Sequence, residues 1–217
     1  MADADLSSLI GWVREFARVI GENAQYLTDL DAAIGDADHG INMRRGMTAV
    51  IEALDLGGAG AAPSEMSALS KQVGMTLVKS VGGASGPLYG TFFLRMAGAL
   101  GAGDGVDAAD FAKALRAGVE GVVQRGRAEA GDKTMFDALA PALDALDAAL
   151  ASGSGLAAAL ADATVAAEKG RDATESMVAR KGRASYLGQR SVGHVDPGAT
   201  SSAMLIAAAA SAFATGG

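Results

Sequence analysis

Apolar residues return every three or four positions along almost the whole chain, and no segment shows the period-two alternation and β-branched density of a strand. Leu6, Leu9, Ile10, Val13, Phe16, Ala17 and Ile20 mark one helical face. Tyr26, Leu27, Leu30 and Ile34 resume the pattern after Gly21, so a second helix is expected to run to about Ala33, and a third from Ile41 to Leu54. Residues 57–63 read as a Gly-rich linker, and Ser64 is placed to cap the helix that carries Met66, Leu69, Val73 and Leu77. Pro87 suits the first turn of a helix running through Phe92, Phe93 and Met96. Asp107 opens another with Phe111, Leu115, Val119 and Val122. Thr134 and Asp137 have capping-box spacing ahead of a helix that Pro141 should kink. A helix over about 156–179 and a last one after Pro197 complete the series. The expectation is an all-α bundle or ring of eight or nine helices with antiparallel neighbours, forming one domain over residues 1–217.

Composition narrows the function classes. Hydrophobic residues at 50% and charged residues at 20% describe a folded globular chain. The 30 glycines are about twice the usual share of roughly 7%, and imply close helix approach and ligand-facing loops. A net charge of −7 argues against nucleic acid as partner, since that affinity rests on Lys and Arg. It leaves room for a nucleotide held through metal ions. With no Cys there is neither a disulfide nor a thiolate zinc site. The acidic first residues lack the order of a signal peptide, and the Ala-rich stretch 204–214 is too short to span a bilayer. A cytoplasmic protein that does not contact the membrane is the expectation.

Chemistry concentrates first in Asp31-Ala-Ala-Ile-Gly-Asp36-Ala-Asp38-His39-Gly40-Ile41-Asn42. Three carboxylates in so short a span suit a hard cation bound through oxygen. Carboxylates at a helix C-terminus also face the negative end of its dipole, which is unfavourable without a cation. A solvated acidic turn accounts for the same residues. An EF-hand does not: counted from Asp36, loop positions 6 and 12 hold Ile41 and Met47 instead of Gly and Glu. His39 is a candidate catalytic base or phosphoryl acceptor, or equally a contact to phosphate or a metal shell.

Three later segments read as loops that complete a site. Residues 80–87, Ser-Val-Gly-Gly-Ala-Ser-Gly-Pro, lead into a helix whose amides attract phosphate, without the spacing of a P-loop. Residues 126–135 hold Gly126, Gly131, Lys133, Thr134 and Met135; taken alone, Lys133 reads as a surface charge, Thr134 as a cap and Met135 as an apolar wall or a core residue. Residues 180–198 gather Arg180, Lys181, Arg183 and Arg190 with His194 in an otherwise acidic chain, and a planar guanidinium suits phosphate recognition.

Together these four segments, in this order and over nearly the whole chain, resemble the nucleotide-binding (DhaL) subunits of dihydroxyacetone kinases of the phosphoenolpyruvate-dependent type. The Gly-Asp36-Ala-Asp38-His39-Gly form fits that branch better than the related fatty-acid-kinase domain. The resemblance implies a ring of eight antiparallel helices with the nucleotide at one end. It implies that Asp31, Asp36 and Asp38 hold two Mg²⁺ ions bridging the phosphates of ADP or ATP. His39, Gly40, Ile41, Asn42, Ala84 and Ser85 would contact the phosphates. Gly126, Met135 and Arg183 would line the nucleotide site, with Asp196, Pro197 and Gly198 closing over it. Arg183 is expected to stabilise charge during transfer.

The implied partners are a subunit that holds dihydroxyacetone and a phosphohistidine protein that recharges bound ADP. A transcription regulator and a second copy of the chain are further candidates. A split kinase exchanging free ATP, a kinase of another small ketose, and a non-enzymatic subunit that docks a regulator in response to nucleotide are the alternatives. Charge makes the metals necessary under the nucleotide reading. Carboxylates and diphosphate repel by roughly 3 kcal/mol per charge pair at about 5 Å and an effective dielectric near 20, and divalent ions reverse that sign.

Overall fold

The computed structural model describes residues 3–55 and 63–214. Nine α-helices carry the described chain: α1 Leu6–Glu22, α2 Ala24–Ile34, α3 His39–Asp55, α4 Met66–Ser80, α5 Ser85–Leu100, α6 Ala108–Gly126, α7 Met135–Ala151, α8 Leu156–Ala173 and α9 Pro197–Ala214. Eight of them close a ring in which each touches the next, in the order α1, α3, α4, α5, α6, α7, α8, α9 and back to α1. Helix α2 lies outside the ring on α3 and α9. Two short strands, β1 Ala4–Asp5 and β2 Gly105–Val106, pair antiparallel beside the starts of α1 and α6. Two-residue strands are too short to leave an alternating pattern in sequence.

Aromatic side chains fill the ring. Trp12 of α1 meets Phe92, Phe93 and Phe111 at centroid distances of 6.4, 5.8 and 6.1 Å, and Phe111 meets Phe213 of α9 at 4.8 Å. Such pairs add about 0.5–1.5 kcal/mol each beyond area burial. The buried indole N–H of Trp12 donates to the Leu205 carbonyl at 2.9 Å, so the core contains no orphan there. Helix α9 begins at Pro197 as expected, and over its full length, seven residues more than the Ala-rich stretch 204–214, it is long and apolar enough to cross a membrane by length and composition. It is packed in the interior against α1, α7 and α8.

Most helix signals hold. The Thr134–Asp137 capping box and the Asp107 cap are formed, and Pro87 sits in the first turn of α5. Helix α7 runs through Pro141 unbroken. The Asp137 carbonyl left without a Pro141 N–H faces Gly170 of α8, where a Cβ would come within 2.2 Å of it. Three expectations change. Ser64 does not cap α4, whose N-cap position is Glu65 and which has no side-chain cap. The first two helices part at Asn23 rather than at Gly21. Helix α8 stops at Ala173, six residues before the expected end; beyond it the Thr174 hydroxyl accepts from the Asp196 N–H at 2.9 Å, and a 3₁₀ turn takes over. Apart from Pro63, the Gly-rich linker lies outside the described residues.

Close backbone approach fixes where α3 begins. A Cβ on Gly40 would sit 1.8 Å from the Ala24 carbonyl oxygen and 2.7 Å from the Thr28 hydroxyl. Gly40→Ala must therefore push α3 off α2. Thermal melts should show a loss of about 3 kcal/mol, roughly 6–12 °C in Tm; an unchanged Tm would contradict this packing.

Candidate active site

The loop between α2 and α3 is built around one carboxylate. Asp31, in the last turn of α2, is buried, and its Oδ2 accepts from the N–H groups of Asp38 (2.9 Å) and His39 (3.2 Å). It thereby caps α3 from a distance of seven residues. Gly35 is required by space rather than by its φ of −138°: a Cβ there would lie 2.0 Å from Asp31 Oδ1. Ala37 takes a left-handed φ of 62°, a cost of about 1 kcal/mol placed between Asp36 and Asp38. The turn brings one ligand atom from each of Asp31, Asp36 and Asp38 within 4.8 Å of one another. Arg183 reaches the cluster, its Nε 2.9 Å from Asp36 Oδ2, while remaining 69% exposed.

Alternation of direction around the ring brings the N-termini of α3, α5, α7 and α9 to one cleft of about 420 Å³. Each carries part of a positive half-charge. Three are already capped by the chain itself: α3 by Asp31, α7 by Thr134 and Asp137, and α9 by Asp196, whose Oδ2 accepts from the Ala199 N–H at 2.7 Å. Helix α5 is different, since its N-cap is Ala84 and no side chain caps it. Residues 82–85 line the cleft, which makes this terminus the one suited to an anionic ligand. The loop before it is braced from behind. Arg45 donates to the Ser80 carbonyl and to Asn42 Oδ1, both at 2.9 Å, and a Cβ on Gly82 would come within 2.7 Å of that same Asn42 oxygen.

Beneath the cleft lies a chain of hydroxyls. Ser85 Oγ is 3.1 Å from His39 Nδ1, His39 Nε2 is 2.9 Å from Ser201 Oγ, and the Tyr89 hydroxyl is 2.7 Å from Ser201 and 3.1 Å from Ser202. One assignment satisfies all of them: Ser85 donates to Nδ1, Nε2–H and Tyr89 donate to Ser201, Ser202 donates to the Tyr89 oxygen, and Ser201 donates to the Gly198 carbonyl. Burial holds the imidazole below its ordinary value, against the opposing pull of Asp31 and Asp38. His39 is therefore a neutral group with both nitrogens engaged, fixing the Ser85 hydroxyl at the mouth of α5.

The fourth wall is the segment that follows the 3₁₀ turn Thr174–Ser176, including a second 3₁₀ stretch, Arg183–Ser191, broken at Gly188. Lys133 holds it. This side chain is only 1% exposed, and its Nζ donates to the carbonyls of Thr174 (2.8 Å), Met177 (3.2 Å), Ser191 (2.7 Å) and His194 (2.5 Å). The surface charge expected from the sequence is thus an internal one. Burial lowers its pKa, with Asp196 and Glu175 opposing. Burial also pushes the Asp196 carboxyl up to about 7, while the Ala199 amide and Lys133 pull it down.

The cleft is lined by Asp31, Asp36, Asp38, His39, Ala84, Ser85, Gly126, Met135, Arg183, Asp196, Pro197 and Gly198 among the residues singled out from sequence. Gly40, Ile41 and Asn42 do not line it. Gly40 packs on α2, Ile41 is exposed, and Asn42 stands behind the glycine loop. Sequence reading missed Leu88, Tyr89, Val122 and Ser201, which look like ordinary core positions at helical spacing, and the burial of Lys133.

Residues 33–211 match the DAK2 domain. The chain belongs to the DAK2 domain family. Among relatives of this DAK2 chain, the "PEP-dependent dihydroxyacetone kinase, ADP-binding subunit DhaL" of Escherichia coli (strain K12) is 44% identical over 195 residues, covering 90% of this chain and 91% of that one. The "PTS-dependent dihydroxyacetone kinase, ADP-binding subunit DhaL" of Lactococcus lactis subsp. lactis (strain IL1403) is 42% identical over 200 residues, 92% of this chain and 94% of that one. The fold also matches the crystal structure of the dihydroxyacetone kinase from C. freundii in complex with AMP-PNP and Mg²⁺, with a TM-score of 0.70 and 26% identity. That match covers 97% of this DAK2 chain, which spans about a third (34%) of the C. freundii chain.

Asp196 gives a pH prediction. Its folded pKa, about 7, lies above the unfolded value of 3.8, so its contribution is full below about 4 and is lost as pH rises through 7. In nucleotide-free protein, wild type should lose a few kcal/mol, roughly 5–10 °C in Tm, relative to Asp196→Asn between about pH 4.5 and 7.5. Parallel melting curves for the two proteins would contradict the burial of this acid.

Proposed function

We propose that this chain is the ADP/ATP-binding subunit of a dihydroxyacetone kinase, passing the γ-phosphoryl of bound nucleotide to dihydroxyacetone held on a partner subunit. The observation that carries this reading is the facing pair in one cleft: the carboxylates of Asp31, Asp36 and Asp38 on one side, the uncapped N-terminus of α5 on the other. Neither side holds a nucleotide phosphate alone. The amides of residues 83–85 favour the anion, whereas the aspartates repel it until cations intervene.

The donor set fits Mg²⁺: three carboxylates in a hard-oxygen cluster, near the place where a ligand phosphate would complete the shell. One ligand atom from each carboxylate lies within 4.8 Å of the others, so the three would act together in holding Mg²⁺. Bound Mg²⁺ would supply charge neutralisation on the phosphates. The chain's own residues supply the rest. Ser85 stands beside the α5 amides, its side chain held by His39 Nδ1. Leu88, Val122, Gly126 and Met135 give an apolar wall for a base. Arg183, held at the rim by Asp36, is positioned to offset charge that develops during transfer.

The names of the DhaL relatives support phosphoenolpyruvate, relayed through a phosphohistidine protein, as the source that recharges ADP in place. The transfer is assigned to the cytoplasm. A regulator or a second copy of the chain would have to dock without covering the cleft rim at Arg183.

Reconstitution with a dihydroxyacetone-binding subunit, the phosphohistidine protein and phosphoenolpyruvate should yield dihydroxyacetone phosphate. Asp36→Asn and Arg183→Ala should each lower turnover about 100-fold or more. Full turnover by either variant would remove that residue from the mechanism, and no product with wild type would remove the function.

A further inference from the structure

We infer that Lys133 is a positioning residue for nucleotide retention: its ammonium stands where a bound monovalent cation would otherwise be needed, and it pins both ends of the 174–196 segment against the cleft. The nucleotide part rests on the function proposed above, whereas the pinning rests on the structure alone.

All four partners of Nζ are neutral main-chain carbonyls, and an ammonium has three protons to share among them. Four carbonyl oxygens converging on one point repel one another unless a cation sits between them. Thr174 and Met177 belong to the beginning of the segment, and Ser191 and His194 to its end. One charge thus closes the neck of the excursion that presents Lys181, Gly182, Arg183 and Ala184 to the cleft.

Neighbouring bonds share the same neck. The Gly193 N–H donates to the Glu175 carbonyl at 2.8 Å, the Ala179 N–H to Ser191 Oγ at 2.9 Å, and the Arg180 N–H to the Asp132 carbonyl at 3.0 Å. Beyond the neck the excursion has few anchors: Arg183 pairs with Asp36 at 2.9 Å, Ala179 and Ala184 pack on Ile34 with Leu187, and Tyr186 is 87% exposed. Lys133 itself takes a left-handed φ of 63°, an unfavourable backbone for a long side chain. The next two residues, Thr134 and Met135, begin α7 and line the cleft. The staple therefore connects a helix N-terminus of the site directly to the segment that carries Arg183.

The test uses the whole chain in three forms: wild type, Lys133→Met, which keeps side-chain volume but has no donors, and Lys133→Ala, which leaves space for n-propylammonium. Trypsin, applied without nucleotide, reads the segment through its sites at Arg180, Lys181, Arg183 and Arg190. Stopped-flow release of ADP in excess Mg²⁺ reads retention. Lys133→Met should keep the helical circular dichroism of wild type, with cleavage and ADP release each at least 10-fold faster. n-Propylammonium at tens of millimolar should restore Lys133→Ala toward wild type, and tetramethylammonium, which has no N–H, should not. If Lys133→Met fails to fold, Lys133→Ala purified with n-propylammonium and then freed of it should show the same two accelerations.

Cleavage and release within twofold of wild type in the folded variants would overturn the proposal, as would equal rescue by tetramethylammonium. A wild type that binds no ADP would overturn the nucleotide function and with it the retention role. The nucleotide-free trypsin comparison would still decide the staple.

Discussion

The interaction on which this molecule depends is the convergence of helix N-termini on one end of a closed ring. Alternating directions around the ring bring α3, α5, α7 and α9 to the same mouth, each with unsatisfied amides and a positive half-charge. The chain answers three of them with its own oxygens, from Asp31, Thr134 with Asp137, and Asp196. It leaves α5 unanswered. An uncapped terminus lining a cleft is open to an anion, so the ring's topology supplies a place suited to phosphate.

The acidic cluster follows from the same constraint. Asp31 is committed to the start of α3, which fixes where Asp36 and Asp38 stand and leaves the cluster facing the α5 terminus. The exposed guanidinium of Arg183 is the ion-pair partner of Asp36, and it offsets only part of the cluster's negative charge. Under the proposed function, phosphate and metal would be coupled ligands, each making the other's site favourable. The buried chain Ser85–His39–Ser201–Tyr89 then ties this polar end to the aromatic core, so the site is held by elements that also hold the fold.

Sequence reasoning reached the parts of this arrangement that are local. The helical period, the Thr134 box, the Asp107 cap and the aspartate turn all depend on residues within a few positions of one another, and the structure places them as expected. What it missed was set by distant partners. Lys133 resembles any loop lysine until four carbonyls from 41 to 61 residues away gather round it. Ser201 and Tyr89 look like core filler because helical spacing does not reveal which buried hydroxyls meet His39. Ser64 has the chemistry of a cap, but the helix starts after Glu65. Gly40 is one of the glycines expected beside a ligand, yet its missing Cβ serves the packing of α3 on α2.

The central claim is that the cleft holds a nucleotide through metal ions bridging it to Asp31, Asp36 and Asp38. Calorimetric titration of ADP into the purified chain, in excess Mg²⁺ and then in excess EDTA, tests it most directly. The account predicts tight binding with Mg²⁺ and a loss of at least 100-fold in affinity with EDTA, with native mass spectrometry of the complex showing ADP and two magnesium ions. Equally tight ADP binding in EDTA would contradict it.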